Sequence, residues 1–480
     1  MNSSPFGARV RDGARFAVAS VVAALLSFWT IAYFARHDAL VVQLCISGVI
    51  IALSIVRSDE RRSAAGAGGG ERMPAWALWL ARLAMVPLVA LLGTVLGRLV
   101  PDDPELGFAL IGVPLVLAIW VRRFGPVWTR LGSLWSFPFI ASLVTPAAAI
   151  TRGAGVWWGA LAALIAVAWG SVLGWLVSAS AAAAPTGERA ALATRGRPAA
   201  GSRRLAASDR MAIHLAISLA AAILLGWWLL PAHLGWLVLT AFIVNSGNRG
   251  RADVVYKGVQ RLVGAGVGTI LATAVGTLFD PGDSGALVAM FVVLGIGALL
   301  RPASYAWWAA AMTGALALLY GYLGEGGVSF LGERLLAILI GGAVAIAASY
   351  FVVPVRSIDV VRRRTADLLG LGREILTADR SDPAYPELRA RVPDASARVR
   401  QLAPPFHALR FVTSGRSPAA RRTADLIDRA TALGESLEGF ALTPSRELGA
   451  ELGAELGSVR ELLLAFRGAG RVEKSRSDAQ

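Results

Sequence analysis

The chain has 480 residues, of which 55% are hydrophobic and only 16% charged, and its mean hydropathy is +0.58. A soluble domain carries about 25% charged residues, so this balance excludes an ordinary water-soluble fold, while 15 Trp and 52 Gly suit bilayer helices that anchor at interfaces and pack closely. The net charge of +15 sits between apolar runs, which assigns it to lipid headgroups and topology and not to nucleic acid; the single Cys45 excludes an internal disulfide.

A membrane helix needs about 20 apolar residues. The first apolar run, Phe16–Phe34, follows Arg9, Arg11 and Arg15. It is longer than the roughly 7–15-residue core of a signal peptide, and no small-x-small cleavage site follows, so it reads as a retained span. Further spans are expected at Leu40–Val56, Trp76–Val100, Leu106–Val121, Leu134–Ile150 and Val156–Ala179. A polar linker rich in Arg, Ala and Gly, Ala181–Asp209, separates these from a second series: Met211–Leu230, Leu234–Val244, Leu262–Phe279, Ala286–Leu300, Tyr305–Leu323 and Leu335–Val353. Several runs are short enough that adjacent pairs could be re-entrant. After Pro354 the hydropathy collapses, and amphipathic stretches such as Thr365–Leu376 and Arg421–Leu437 predict a helical tail. The run ELGAELGAELGS, Glu447–Ser458, has a period of four, so its leucines drift slowly around a helix.

The expected fold is therefore an all-α polytopic membrane protein of about twelve helices in two six-helix parallel repeats. Residues 1–180 form the first half, 181–209 the cytoplasmic linker, 210–354 the second half and 355–480 a cytoplasmic helical domain. A shift of about 179 residues carries the repeat: it sets Arg82 on Arg261 and the arginines at 122–123 near Arg301. Arginines cluster on alternate connections, at Arg57, Arg61, Arg62, Arg122, Arg123 and Arg130 and again between 249 and 261, while acidic turns PDDPE and DPGD mark the opposite side. By the positive-inside rule both termini are cytoplasmic.

One stretch organises the second half. The apolar run Leu234–Val244 ends in a polar turn, Asn245–Gly250, and a basic loop follows with Arg249, Arg251, Lys257 and Arg261. Gly264, Gly268, Ala272 and Gly276 then recur every four residues, a spacing that lines up small residues into a groove for another helix. The stripe of Gly341, Ala345 and Ser349 is a candidate partner.

Chemical motifs are sparse. There is no GxxxxGK[ST], no GxSxG, and no metal spacing among His37, His214, His233 and His407, so neither an enzyme nor a bound cofactor or metal is expected. Ionisable residues inside spans invite functional readings. His214 reads as a structural histidine or a proton relay. Arg98 and the Glu333–Arg334 pair, which opens the last span, read as functional groups or as side chains snorkelling to an interface, the second favoured for Arg98. No carboxylate stands clearly mid-span. Asn245, Ser246 and Asn248 either line a substrate path or cap a helix end. Arg301, Pro302 and Tyr305 interrupt two apolar runs. An arginine beside an aromatic ring at a cavity mouth suits a carboxylate on a flat ring; the alternative is a topological anchor.

Four motifs in this order, GWLVLTAFIVN (Gly235–Asn245), QRLVGAGVGTILA (Gln260–Ala272), RPASYAWWAA (Arg301–Ala310) and ERLLAILIGGAVA (Glu333–Ala345), resemble the fusaric acid resistance-like (FUSC) family, which includes bacterial aromatic acid exporters. The resemblance covers about Met211–Pro354, with the first half as a diverged copy; the large cytoplasmic insertion of many members is here a short linker. It implies a transporter of the bacterial cytoplasmic (inner) membrane that exports aromatic or other organic acids. The partners implied are lipid, a small anionic substrate and a second copy in a homo-oligomer. A passive organic-anion channel and a non-transport scaffold with a partner-binding tail are the alternatives.

Overall fold

The computed structural model describes residues 5–35, 41–64, 74–144, 155–182, 207–246, 250–324, 328–352, 357–379, 381–382, 385–413, 416–443 and 445–477. Among these residues every regular element is a helix. The first six are α1 (Pro5–Phe34), α2 (Val41–Ala64), α3 (Ala75–Gly97), α4 (Pro104–Trp120), α5 (Pro126–Val144) and α6 (Trp157–Ala182). The next six are α7 (Ala207–Leu229), α8 (Leu234–Asn245), α9 (Arg251–Gly276), α10 (Ser284–Leu300), α11 (Tyr305–Tyr322) and α12 (Val328–Phe351). Each apolar stretch of the sequence thus lies mainly within one helix over the residues described; residues 145–150, the end of the expected Leu134–Ile150 span, lie outside them. Seven, namely α1, α3, α4, α6, α7, α9 and α12, are long and apolar enough to cross a membrane; α8 and α10 are shorter apolar helices.

Two boundaries differ from the sequence expectation for one reason. Hydropathy ends a span at the first charges, but a helix continues wherever its charged face finds partners. So α2 runs about two turns past Val56, carrying Arg57, Asp59 and Glu60 into the fold. Likewise the expected basic loop from Arg251 to Arg261 is the first three turns, roughly, of α9. Met1, residues 183–206 of the linker, Asn248, Arg249 and Gln480 lie outside the described residues.

The helices pair in a regular pattern. In the first six, α1, α2 and α6 pack mutually, α3 packs on α6 and α5, and α4 packs on α5. In the next six, α7, α8 and α12 pack mutually, α9 packs on α12 and α11, and α10 packs on α11. Across the two sets, α4 meets α7 and α1 meets α10. One apolar core runs through both, from Ile111 and Phe139 to Leu237, Phe291 and Leu319. The outward faces are apolar as well: Trp29, Leu88, Trp157, Trp228, Ile270 and Phe351 are exposed. Apolar surface on this scale is untenable in water and natural against lipid. The chain is a multi-pass membrane protein.

The glycine stripe of α9 lies against α11. A Cβ on Gly264 would stand 2.7 Å from Ala309 Cβ and inside van der Waals contact of the Ala306 carbonyl; one on Gly268 would overlap the Ala310 carbonyl oxygen. The expected partner stripe is elsewhere: Gly341 packs on α8, where a Cβ would meet Leu237 O at 2.6 Å. Gly276 has open space where a Cβ would project, so it is no packing residue. The close approach ends near Ala272, which faces Gly314, and the last turn of α9 is free of it.

Beyond these, α13 (Ser357–Thr377), α14 (Tyr385–Ala390), α15 (Val392–Arg400), α16 (Ala403–Val412), α17 (Pro418–Leu442) and α18 (Arg446–Ser477) enclose their own core. In α18 the buried positions are Leu452, Leu456, Val459 and Leu463, while Leu448 has turned outward, the drift that a four-residue period produces. This bundle meets the basic end of α9. Ala252 N donates to Ser357 Oγ at 2.9 Å, and Gly250 takes φ +141, a left-handed conformation that lets the chain pass beside Ser357.

Lys257 closes the turn between α8 and α9. Its ammonium donates to the carbonyls of Ile243 (3.3 Å) and Ser246, satisfying acceptors that a helix C-terminus leaves open. Lys257→Met keeps the stem and removes these bonds. A hydrogen bond from a charged group contributes roughly 1.5–3 kcal/mol, so a lower Tm in detergent is expected; an unchanged Tm would mean water serves these carbonyls equally well.

Candidate functional site

A cavity of about 410 Å³ opens between α1, α2 and α5 on one side and α8, α9, α10 and α11 on the other. That volume falls within the roughly 300–1,000 Å³ typical of small-molecule sites. Its polar lining is Ser20 of α1, Ser54, Arg57 and Glu60 of α2, Arg261 of α9, Arg301 at the end of α10, and Tyr305 and Trp308 of α11. Three arginines against one glutamate give the chamber an excess of positive charge.

Local structure aims these groups. Pro302 prevents α10 from continuing. The turn ends at Ser304, whose side chain caps α11 by accepting from Ala306 N, and Gln260 Nε2 of α9 donates to Ser304 Oγ at 2.9 Å. Arg301 and Tyr305 are thereby held on either side of a turn pinned to α9. The Arg57 guanidinium lies over the Trp308 ring at 5.3 Å, and Arg301 approaches the same ring at 5.9 Å. One indole is therefore approached by two cations from different parts of the chain. Such a triad can take a carboxylate by charge-assisted hydrogen bonds and a flat ring by stacking.

A second cavity, about 150 Å³ and almost wholly apolar, adjoins the first, lined among others by Phe28, Val49, Met290, Leu319 and Tyr322. The two chambers share Ile50 and Leu53 of α2 and Met312 and Leu316 of α11. These four side chains form an apolar waist between the basic chamber and the apolar one.

Of the substrate-path candidates, Arg301 and Tyr305 line the basic chamber, with Pro302 between them, whereas Asn245, His214, Glu333 and Arg334 do not. Asn245 is buried and donates to Ser218 Oγ at 2.8 Å, tying the end of α8 to α7. His214, buried one helical turn before Ser218, lies in the same helix. Glu333 is half exposed, its Oε2 3.4 Å from His233 Nδ1. Arg334 does not snorkel: it is 0% exposed, its guanidinium 3.9 Å from the Trp236 ring. The reason is that α12 begins at Val328 and not near Leu335, which places Arg334 about two turns inside the helix.

Sequence reasoning missed Arg57, Glu60 and Trp308, and counted Arg261 among loop charges although it is only 4% exposed. It also missed a buried ion pair: Arg82 of α3 grips Asp59 of α2 at 2.6 and 3.0 Å and reaches Ser58 and Ser171. The one usable signal was the 179-residue shift that set Arg82 on Arg261, since both prove to be buried.

Residues 219–348 match the model of the fusaric acid resistance protein-like family. The match runs from α7 into α12 and takes in Arg261, Arg301, Tyr305 and Trp308, leaving Arg57 and Glu60 outside it. No curated protein matches the chain significantly.

Proposed function

With the fusaric acid resistance-like match of residues 219–348 as premise, we propose that this protein is a secondary transporter of the bacterial inner membrane that exports small organic acids, aromatic carboxylates foremost. The observation that carries this reading is the cluster of Arg57 and Arg301 about the Trp308 ring in a chamber of small-molecule size. The apolar waist of Ile50, Leu53, Met312 and Leu316 then acts as the barrier between two chambers.

The same reading takes α1–α12 as two six-helix repeats of one orientation. It is supported by the recurrence of six helix pairs in each set, by the exchange pairs α4–α7 and α10–α1, and by buried arginines at matched positions, Arg82 and Arg261. Both termini and α13–α18 are then cytoplasmic, since the basic end of α9 is the end the bundle meets.

The test is reconstitution into proteoliposomes with benzoate as probe. Wild-type protein should drive benzoate uphill when a proton gradient is imposed. Losing one charge-assisted bond forfeits roughly 1.5–3 kcal/mol, about tenfold to a hundredfold in affinity; the Arg57→Gln/Arg301→Gln double variant should therefore lose at least tenfold in apparent affinity while folding normally. Gradient-independent current would make the protein a channel, and no flux with any organic acid would leave it a scaffold.

A further inference from the structure

Arg334 is fully buried inside α12 and is not among the side chains that line the basic chamber. It is among the largest fully buried side chains, and its environment is unlike that of the buried Arg82. Arg82 has Asp59 as counter-ion and two hydroxyls besides. Arg334 makes one hydrogen bond, from Nη2 to the Thr313 carbonyl at 3.2 Å, and rests over Trp236 with Tyr320 at 5.9 Å. Among the described residues its Nε and Nη1 have no acceptor and no carboxylate reaches it. The adjacent Glu333 points to His233 instead. A buried guanidinium without a counter-ion is costly, so a fold that keeps one invites an anion.

Its position supplies the second argument. Trp236 lies one turn before Leu239 on α8, and Thr313 and Tyr320 flank Leu316 on one face of α11. Leu239 and Leu316 both line the basic chamber. Arg334 therefore stands one layer behind that wall, packed on Trp236 and bonded to Thr313. We propose that Arg334 is a second carboxylate subsite, occupied after the Arg57–Arg261–Arg301 chamber, with Trp236 holding the guanidinium until the carboxylate takes its open Nε and Nη1 donors. This rests on the transport reading, because it supposes an anion that moves past the first chamber.

The test uses the full chain and benzoate. In the Arg57→Gln/Arg301→Gln background the first chamber is weakened, and benzoate should still raise Tm; adding Arg334→Met should abolish that residual shift. Arg334→Met alone should melt above the wild type, because an uncompensated buried charge is replaced by an apolar chain, yet its benzoate flux should fall at least tenfold. Residual shifts equal with and without Arg334→Met, or absent from the double variant, overturn the subsite. So does a lower Tm for Arg334→Met, which would make the guanidinium a structural tie. If the shifts behave as expected but wild-type vesicles move no benzoate, the transport reading fails and the subsite stands; flux with no such shifts reverses that result.

Discussion

Asp59→Ala is expected to cost about 3–5 kcal/mol, the usual penalty for leaving one member of a buried ion pair alone. The pair ties α2 to α3, with Arg82 Nη2 2.6 Å from Asp59 Oδ1 and Nη1 3.0 Å from Oδ2. It is closed over by α6: a Cβ at Gly174 would meet Asp59 Oδ2 at 2.5 Å, and Ser171 lies within 3.4 Å of the guanidinium. Three helices thus converge on two opposite charges. Removing the carboxylate strands a guanidinium that the hydroxyls of Ser58 and Ser171 serve only in part. Against a total stability of roughly 5–15 kcal/mol for a typical domain, the loss should appear as a collapse of folded yield in detergent. The control is the Asp59→Leu/Arg82→Met double variant, which removes both charges. Replacing a buried pair by apolar side chains is often neutral or stabilising, so the double variant should recover most of the lost yield. If Asp59→Ala purifies like the wild type, water reaches Arg82 and the pair is not sealed.

That pair also shows where the sequence is opaque. Apolar runs announce a membrane helix because lipid demands about 20 such residues in a row, and all twelve runs are helices. The run's end, however, is a poor guide to the helix's end. Hydropathy stops α2 at Val56, yet Arg57, Asp59 and Glu60 continue it because each faces an interior partner or chamber. Arg98 and Arg334 give similar sequence signals, an arginine near a span boundary, with Glu333 beside the second. Arg98 caps the end of α3, whereas Arg334 is sealed inside α12. What separates them is where the helix starts, and the apolar pattern leaves that open by two turns. Arg301 and Tyr305 were legible because they interrupt two apolar runs. Arg57 and Trp308 were not, since their contact joins helices from opposite ends of the chain.

Gly268→Leu and Gly264→Leu are expected to damage the protein for the opposite reason: each adds atoms where backbone already stands. At Gly268 the obstacle is the Ala310 carbonyl, and at Gly264 it is Ala309 Cβ and the Ala306 carbonyl. Neither is the free end of a flexible side chain, so relief requires α9 and α11 to part. Overpacking costs about 1–3 kcal/mol in soluble cores, occasionally more. A bilayer offers little compensation, because helices there associate mainly through close packing. The separation would also disturb the chamber, since α9 carries Arg261 and α11 carries Tyr305 and Trp308. Activity should therefore fall together with Tm. Two comparisons isolate the cause. Gly276→Leu enters open space on the same helix, and Leu271→Ile alters an exposed side chain; both should leave yield and Tm near the wild type. Equal melting of Gly268→Leu and Gly276→Leu would mean that α9 and α11 do not touch at the glycine stripe, and the route by which α9 holds Arg261 in the chamber's wall would have to run through Gln260 and Ser304 alone.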